Sequence, residues 1–474
     1  MPGRLFLTTL FFICTSIATL TAQSANPTPS TDPSPSPVAD PAPQLTPEQT
    51  QPQPTEDLTP TIPPAIDLYL EAFDQLALPM QNEPDQLLQI TDKFQISNAF
   101  TEEELLRAEL TLASNQIALT NLRNISPGTP VHWPVDLTNT ATYSQDTPHL
   151  PKLSRAARII YLDALIAAHL KDADRLTTDL RHLISISNSL SNDQHLTALE
   201  TRLSILSFLQ DLQVLLPLNI LQPDQLLDIQ RDLKALDLIP HIKSVILYER
   251  SQALIYTQDY INDVILPSST PKPLTDEQIQ SNQQNFTKFM TEFLTQLEIY
   301  QFDFTTLAKQ ADELPETELL TKNLIPIFAS TTERYTIAQA SINTTIVALA
   351  LQRYKLAYNE YPPTLDKLVP DYLISIPIDP FDRSPLRYIY DDQTQTAVIY
   401  ATGPDTLDNN GRAFTSQAVP TFGQRPASPS PTYIYTDITF NLGPYQKAHF
   451  PESIITNEPA TTPTNEPAEQ PTSP

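Results

Sequence analysis

Oxygen-bearing side chains gather in one stretch of this chain: Asp405, Asp408, Asn409 and Asn410, with Asp437 further along and Gly403 and Gly411 at the margins. Calcium takes six to eight oxygen ligands from carboxylates, amides, backbone carbonyls and water, at flexible geometry. These five side chains are therefore candidate ligands for a structural Ca2+, and the two glycines permit the tight turns such a loop needs. The competing reading is a plain turn, because Asp, Asn and Gly favour left-handed and turn backbones without any metal. A catalytic metal is not expected, since no base or nucleophile lies nearby in sequence.

Other chemistry finds less support. His132 and His149 share a Pro-rich segment with Trp133, the only tryptophan, but no third ligand with suitable spacing is present. Among prolines such a Trp either forms a ligand platform or plugs the end of a helical bundle. His169, His182 and His195 recur every 13 residues, a spacing that scatters them around a helix, so each is expected on a helix surface. Glu102-Glu103-Glu104 after Thr101 reads as the capped, acid-rich first turn of a helix. With 55 acids, two carboxylates meet by chance, so no acid pair is nominated for general acid/base work. Cys14 is the only cysteine and excludes disulfides and thiolate sites. Six glycines among 474 residues supply no phosphate-cradling loop and no nucleophile elbow. No catalytic or cofactor-binding residue is expected.

The charge balance narrows the partners. Lys plus Arg number 28 against those acids, a net charge of -27, which repels phosphate backbones and anionic headgroups. Nucleic acid is not expected as a partner. At the N-terminus, Arg4 precedes the apolar run Leu5–Leu20 and small residues come after it, which reads as a signal peptide over 1–25 with cleavage after Ala22 or Ala25. The expected location is periplasmic or extracellular. If the segment stays uncleaved, it becomes an inner-membrane anchor facing the periplasm. Residues 26–64 are Pro-rich and read as a disordered, semi-rigid spacer. The Pro/Thr/Glu-rich tail, 446–474, repeats the word Thr-Asn-Glu-Pro-Ala at 456–460 and 464–468; slippage accounts for such a repeat more often than binding does.

From Ala65 to about residue 333 the apolar spacing is helical. Ile66, Leu70 and Phe73, then Leu105, Ala108 and Leu112, then Ala156 to Leu170 and Leu176 to Leu190 give successive apolar faces with short polar breaks, the pattern of antiparallel helical hairpins. Pro223-Asp224 is suited to start a helix. Such a domain either supports the C-terminal region or offers a concave protein-binding surface. Residues 334–445 read differently. A long amphipathic helix from Arg334 to Ala357 ends at Asn359, ahead of Pro362-Pro363. Thr364 caps a short helix through Leu365 and Leu368. Leu386–Tyr390 and Ala397–Ala401 alternate around a turn at Asp391-Asp392-Gln393, a hairpin. The fold class expected is α+β, and the two domains are expected to melt separately.

The order Tyr354-Lys355, Tyr361-Pro362, Leu365 to Leu368, Asp379-Pro380-Phe381, Tyr388, Gly403-Pro404-Asp405 and Asp437-Ile438 resembles the globular domain of type II secretion major pseudopilins. The resemblance implies one long helix, a short antiparallel sheet and a calcium loop, with Asp405, Asp408 and Asp437 as the leading ligands. Phe381 stands where the family commonly has Trp. The family's N-terminal Gly-Phe processing site and hydrophobic stem are not found: Gly3 is followed by Arg4, and a helical domain precedes the long helix. An insertion from about Arg412 to Tyr433 interrupts the loop. Fibre assembly is therefore not expected. The resulting expectation is an exported, non-enzymatic cell-envelope protein that scaffolds or binds proteins, with envelope or secretion-system proteins as partners. The alternatives are an accessory component of a type II secretion or pilus-like machine, and a hydrolase hidden in the helical domain.

Overall fold

Helix is the dominant structure, joined to one small antiparallel sheet in an α+β arrangement. The computed structural model describes residues 65–77, 99–133, 147–265, 274–298, 304–411 and 437–442. The expected signal, Pro-rich spacer, tail and 412–433 insertion lie outside the described residues.

The helical part begins with α1 (Ala65–Gln75), α2 (Glu102–Ser114) and α3 (Gln116–Arg123). Thr101 and Glu104 form a reciprocal capping box at the start of α2: Glu104 N–H donates to Thr101 Oγ1 at 3.3 Å, and Thr101 N–H to Glu104 Oε2 at 3.0 Å. Next come α4 (His149–Leu170) and α5 (Ala173–Ser189), which pack on each other as a hairpin. The Lys171-Asp172 break builds that turn. Lys171 takes a left-handed backbone, and Asp172 caps α5 by accepting from Arg175 N–H at 3.1 Å. Then α6 (Leu196–Leu206) packs on both. Pro223 occupies the first helical position of α7 (Pro223–Lys234), where its missing N–H costs nothing. The helices α8 (Ile239–Ile255), α9 (Asp276–Glu298) and α10 (Phe304–Asp312) complete the layer.

The longest helix, α11 (Leu319–Tyr358), organises the molecule. It begins well before Arg334 and runs through position 333 without a break, accommodating Pro326 inside it. The expectation of an amphipathic helix is corrected here. Residues 344–352 are buried on every side, because α7 and other layer helices cover one flank while the sheet covers the other. Leu356 and Ala357, in the last turn, are exposed. Each fully buried Leu or Val of the central turns contributes about 1.5–3 kcal/mol of transfer free energy. Helix α11 stops at Asn359, whose left-handed backbone ends the ladder.

After α11 a single turn of 3-10 helix spans Leu365–Leu368. Thr364 precedes it without a side-chain capping bond, so that cap is not formed. Three strands come next: β1 (Arg387–Asp391), β2 (Thr396–Ala401) and β3 (Ile438–Leu442). They lie in the order β1-β2-β3, all antiparallel, with Ile399 opposite both Tyr388 and Phe440. Ala397, Ile399 and Ala401 alternate inward, and β2 and β3 contact α11. Polar bonds also tie α11, the segment after it and β3 to the helical layer. Gln230 Nε2 donates to Tyr372 O at 3.0 Å, Arg353 Nη1 to Gln230 Oε1 at 3.0 Å, and Asn441 N–H to Gln213 Oε1 at 3.2 Å. No described helix is long and apolar enough to cross a membrane.

Candidate functional site

The stretch 403–411 leaves the end of β2 and returns against β3. Its backbone takes left-handed turns at Gly403, Thr406, Asn410 and Gly411. Gly411 suits this position: besides its positive φ, a Cβ there would crowd the Ile389, Tyr400 and Val398 side chains at 3.3 Å. Asp437, at the start of the β3 segment and fully buried, closes the loop. Its carboxylate accepts from Asn409 N–H at 3.1 Å and Gly411 N–H at 2.6 Å. Burial pushes the Asp437 carboxyl up, against the pull of those two N–H groups.

Asp408 has both oxygens engaged. Oδ1 accepts from Tyr400 OH at 3.2 Å and Asn410 N–H at 2.8 Å, and Oδ2 lies 3.2 Å from Arg387 Nε. Asp405 accepts from Leu407 N–H at 3.0 Å, and Asn409 Nδ2 donates to Leu407 O at 3.2 Å. The structure thus brings Asp408, Asn409, Asn410 and Asp437 into one loop network, with Asp405 serving its own turn. The carboxylate oxygens of Asp405, Asp408 and Asp437 accept from N–H groups, from the Tyr400 hydroxyl and from the Arg387 guanidinium. Among the described residues no three His, Cys, Asp or Glu side chains are placed to hold a metal ion.

Arg387 is the residue that sequence reasoning left without a role. It pairs with Asp379 (3.1 Å), with Asp382 and with Asp408, so one guanidinium on β1 gathers three carboxylates. Asp379 is fully buried. It accepts from Phe381 N–H (2.9 Å), Thr402 N–H (2.8 Å) and Thr402 Oγ1 (3.1 Å), pinning the Asp-Pro-Phe turn to the end of β2.

A second cluster lies inside the helical layer, where none was expected. Asp193, in the connection between α5 and α6, takes His149 Nε2 at 2.8 Å on one oxygen. On the other it takes His195 Nδ1 at 2.6 Å and His195 N–H at 3.0 Å. Its main-chain oxygen receives His241 Nε2 at 2.7 Å, and His241 Nδ1 in turn accepts from Arg202 Nη1 at 3.0 Å. Those partners fix the tautomer of each ring. Burial raises the Asp193 carboxyl, but the hydrogen bonds from His149 and His195 outweigh it and hold the group well below the usual carboxylate range. Burial, then Arg202 alongside, pushes the His241 imidazole down to about 4. Arg202 is almost completely enclosed and makes no ion pair among the described residues. Trp133 stacks on His149 at 4.8 Å and donates Nε1–H to Ser189 O at 3.1 Å, between Tyr69 and Phe73. That is the geometry of a plug. The surface expectation for the histidines is corrected: His182 and His195 are buried, and His169, half-buried, accepts from Phe100 N–H at 3.2 Å. Only His132 is exposed among the described histidines of the Trp segment.

A third group joins α3, α4 and α5. Arg123 reaches both Asp163 and Asp179, and Arg175 takes the other oxygen of Asp163. Burial, then the charge of Asp163, pushes the Asp179 carboxyl up to about 8 against the pull of Arg123. Asp179 Oδ2 is left without a donor and is the natural place for that proton. One signal for this group was available: Asp163 is the only acid in the apolar run from Ala156 to Ala168. No family model, curated protein or solved structure matches the chain.

Proposed function

We propose that this chain is an exported, non-enzymatic protein of the bacterial cell envelope, acting as a scaffold or protein-binding component with a pseudopilin-like C-terminal region. The observation that supports it is where the charged side chains are spent. Arg123 with Asp163 and Asp179, Asp193 with His149 and His195, and Arg387 with Asp379 and Asp408 each join separate elements of the fold. These are the uses of charge that hold a rigid body in shape. The N-terminal signal pattern supplies the export half of the reading. The test is expression of the full chain in a bacterial host, with fractionation and mass determination of its mature N-terminus. A chain cut after Ala22 or Ala25 and cross-linked to envelope proteins supports the reading. Recovery only in the cytosol with Met1 retained sinks it.

A second reading, an accessory component of a type II secretion or pilus-like machine, is favoured by the Asp379-Pro380-Phe381 turn, which is bonded to the end of β2 in a sheet packed on one long helix. Pseudopilins among the cross-linked partners would select it. A hydrolase within the helical layer draws on one observation, the Asp163–Asp179 pair with its raised carboxyl. Loss of a measured hydrolytic activity in Asp179→Asn, with the fold retained, would select that reading. A structural calcium in the 403–411 loop rests on the resemblance, and the cation would have to draw Asp408 away from Arg387. A rise in melting temperature with calcium over chelator, absent in Asp408→Ala, is its test; saturation at about 100 times Kd stabilises by about 2.7 kcal/mol.

A further inference from the structure

The last turns of α11 end in a cluster of tyrosines, with Tyr358 exposed, Tyr354, Tyr372, Tyr388 and Tyr390 half-buried and Tyr361 buried beneath them. Tyr354 and Tyr358, one turn apart, have ring centroids 4.4 Å apart, and Tyr354 meets Tyr372 edge-on at 5.6 Å. Lys355 Nζ lies 4.4 Å from the centroid of Tyr361, which in turn meets Tyr390 at 6.4 Å. The Tyr390 ring runs nearly parallel to that of Tyr388. Tyr358 is 59% exposed. Arg353 lies over the Tyr372 ring, and neither Arg353 nor Lys355 forms an ion pair among the described residues. In a chain with net charge -27 these are cations without an ion pair, although Asp224 acts on Arg353 from α7, and Glu360, Asp371 and Asp392 stand at the margin.

The described chain ends beside this cluster. Leu442 is opposite Ala397, and Ala397 is opposite Tyr390, so the end of β3 lies two strand spacings, roughly 10 Å, from Tyr390. From there, residues 443–450 span at most about 26–29 Å if extended. Beyond them, 451–474 hold Glu452, Glu458, Glu466 and Glu469 and no Lys, Arg or His, with the word Thr-Asn-Glu-Pro-Ala twice. Proline-rich peptides dock on aromatic surfaces because their extended conformation is preformed and costs little entropy to fix.

We propose that the acidic, proline-rich tail of this same chain, residues 451–474, docks on the tyrosine cluster at the end of α11, its glutamates facing Arg353 and Lys355. The contact is independent of the cellular role proposed above. It gives the repeated word a purpose: two equivalent copies raise the local concentration of the motif at one site.

The test places a photoreactive benzoylphenylalanine at position 358 of the full chain, and separately at the exposed position of Ile374, and maps cross-links by mass spectrometry. Intramolecular cross-links to 451–474 are expected. Their yield should fall about five-fold in Lys355→Glu, the effect of losing an exposed ion pair. It should recover when Glu458→Lys and Glu466→Lys are added to that variant. Cross-links to the 26–64 segment, cross-links to a second copy at doubled mass, or none from either position would each overturn the proposal. So would a yield indifferent to the charge exchanges.

Discussion

Asp193 and Asp437 both serve as acceptors that hold separate pieces of chain, yet they work in different surroundings. Asp193 gathers side chains from the starts of α4 and α6 and, through its main-chain oxygen, from α8, inside the packed helical layer, with Trp133 stacked on His149. Asp437 takes two backbone N–H groups of one loop whose Asn410 is exposed. Both carboxylates are buried, but Asn409 and Gly411 are half-buried, so their N–H groups can reach water once the acceptor is removed, whereas the buried rings of His149 and His195 cannot. The same chemical group should therefore carry very different energetic weight in the two regions, and the helical layer should depend on its buried polar hub more than the sheet region depends on its loop.

The largest effect expected is from Asp193→Ala. It strands two imidazoles and a backbone N–H in the interior and should cost about 3–5 kcal/mol in urea unfolding. Asp437→Ala should cost about 1–2 kcal/mol, and equal losses at the two sites would break the comparison. Gly411→Ala should cost about 1–3 kcal/mol, because it forces a left-handed backbone onto alanine and crowds Ile389, Val398 and Tyr400. The smallest effect, about 1 kcal/mol, is expected from Thr101→Ala at the cap of α2.

The pH dependence sharpens the contrast within the helical layer. Asp179 has a folded value, about 8, above its unfolded one, about 3.9. The folded state therefore holds more protons across that window, and this group's contribution falls as pH rises. Asp179→Asn mimics the protonated acid, so its stability relative to the parent chain should climb from pH 5 to pH 8. A difference that is flat with pH would rule out the buried proton. His241 acts in the opposite sense. Its folded value of about 4 lies below the unfolded value of about 6.5, so its contribution is lost as pH falls through that interval.

The contrast also explains what could be read from the chain alone. The turn Asp379-Pro380-Phe381, the hairpin around residues 391–396, the Thr101 cap and the stop at Asn359 are local, and each announces itself within a few residues. The hub at Asp193 joins positions 149, 195 and 241, and the pair Asp163–Asp179 acquires Arg123 from another helix. Apart from Asp163, the lone acid of an apolar run, nothing in the local pattern ranks those residues above the many other acids and histidines. The loop ligands were legible as a loop and not as a geometry. Arg387 reaches them from a neighbouring strand, and pairing across strands is not written in spacing. For α11, periodicity proposed one packed face; its second cover, the sheet, arrives from residues 396–442.

That double cover is what joins the two regions. If α11 belongs equally to the helical layer and to the sheet, the described fold should unfold as one cooperative unit, contrary to the separate melting expected from a short connection through Pro326 and a shared helix as the only coupling. Differential scanning calorimetry of the full chain tests this directly. A single transition is expected, with a calorimetric enthalpy equal to its van't Hoff enthalpy. Two resolved transitions, with Asp193→Ala lowering only the first and Gly411→Ala only the second, would show instead that the helical layer and the sheet region are separate units.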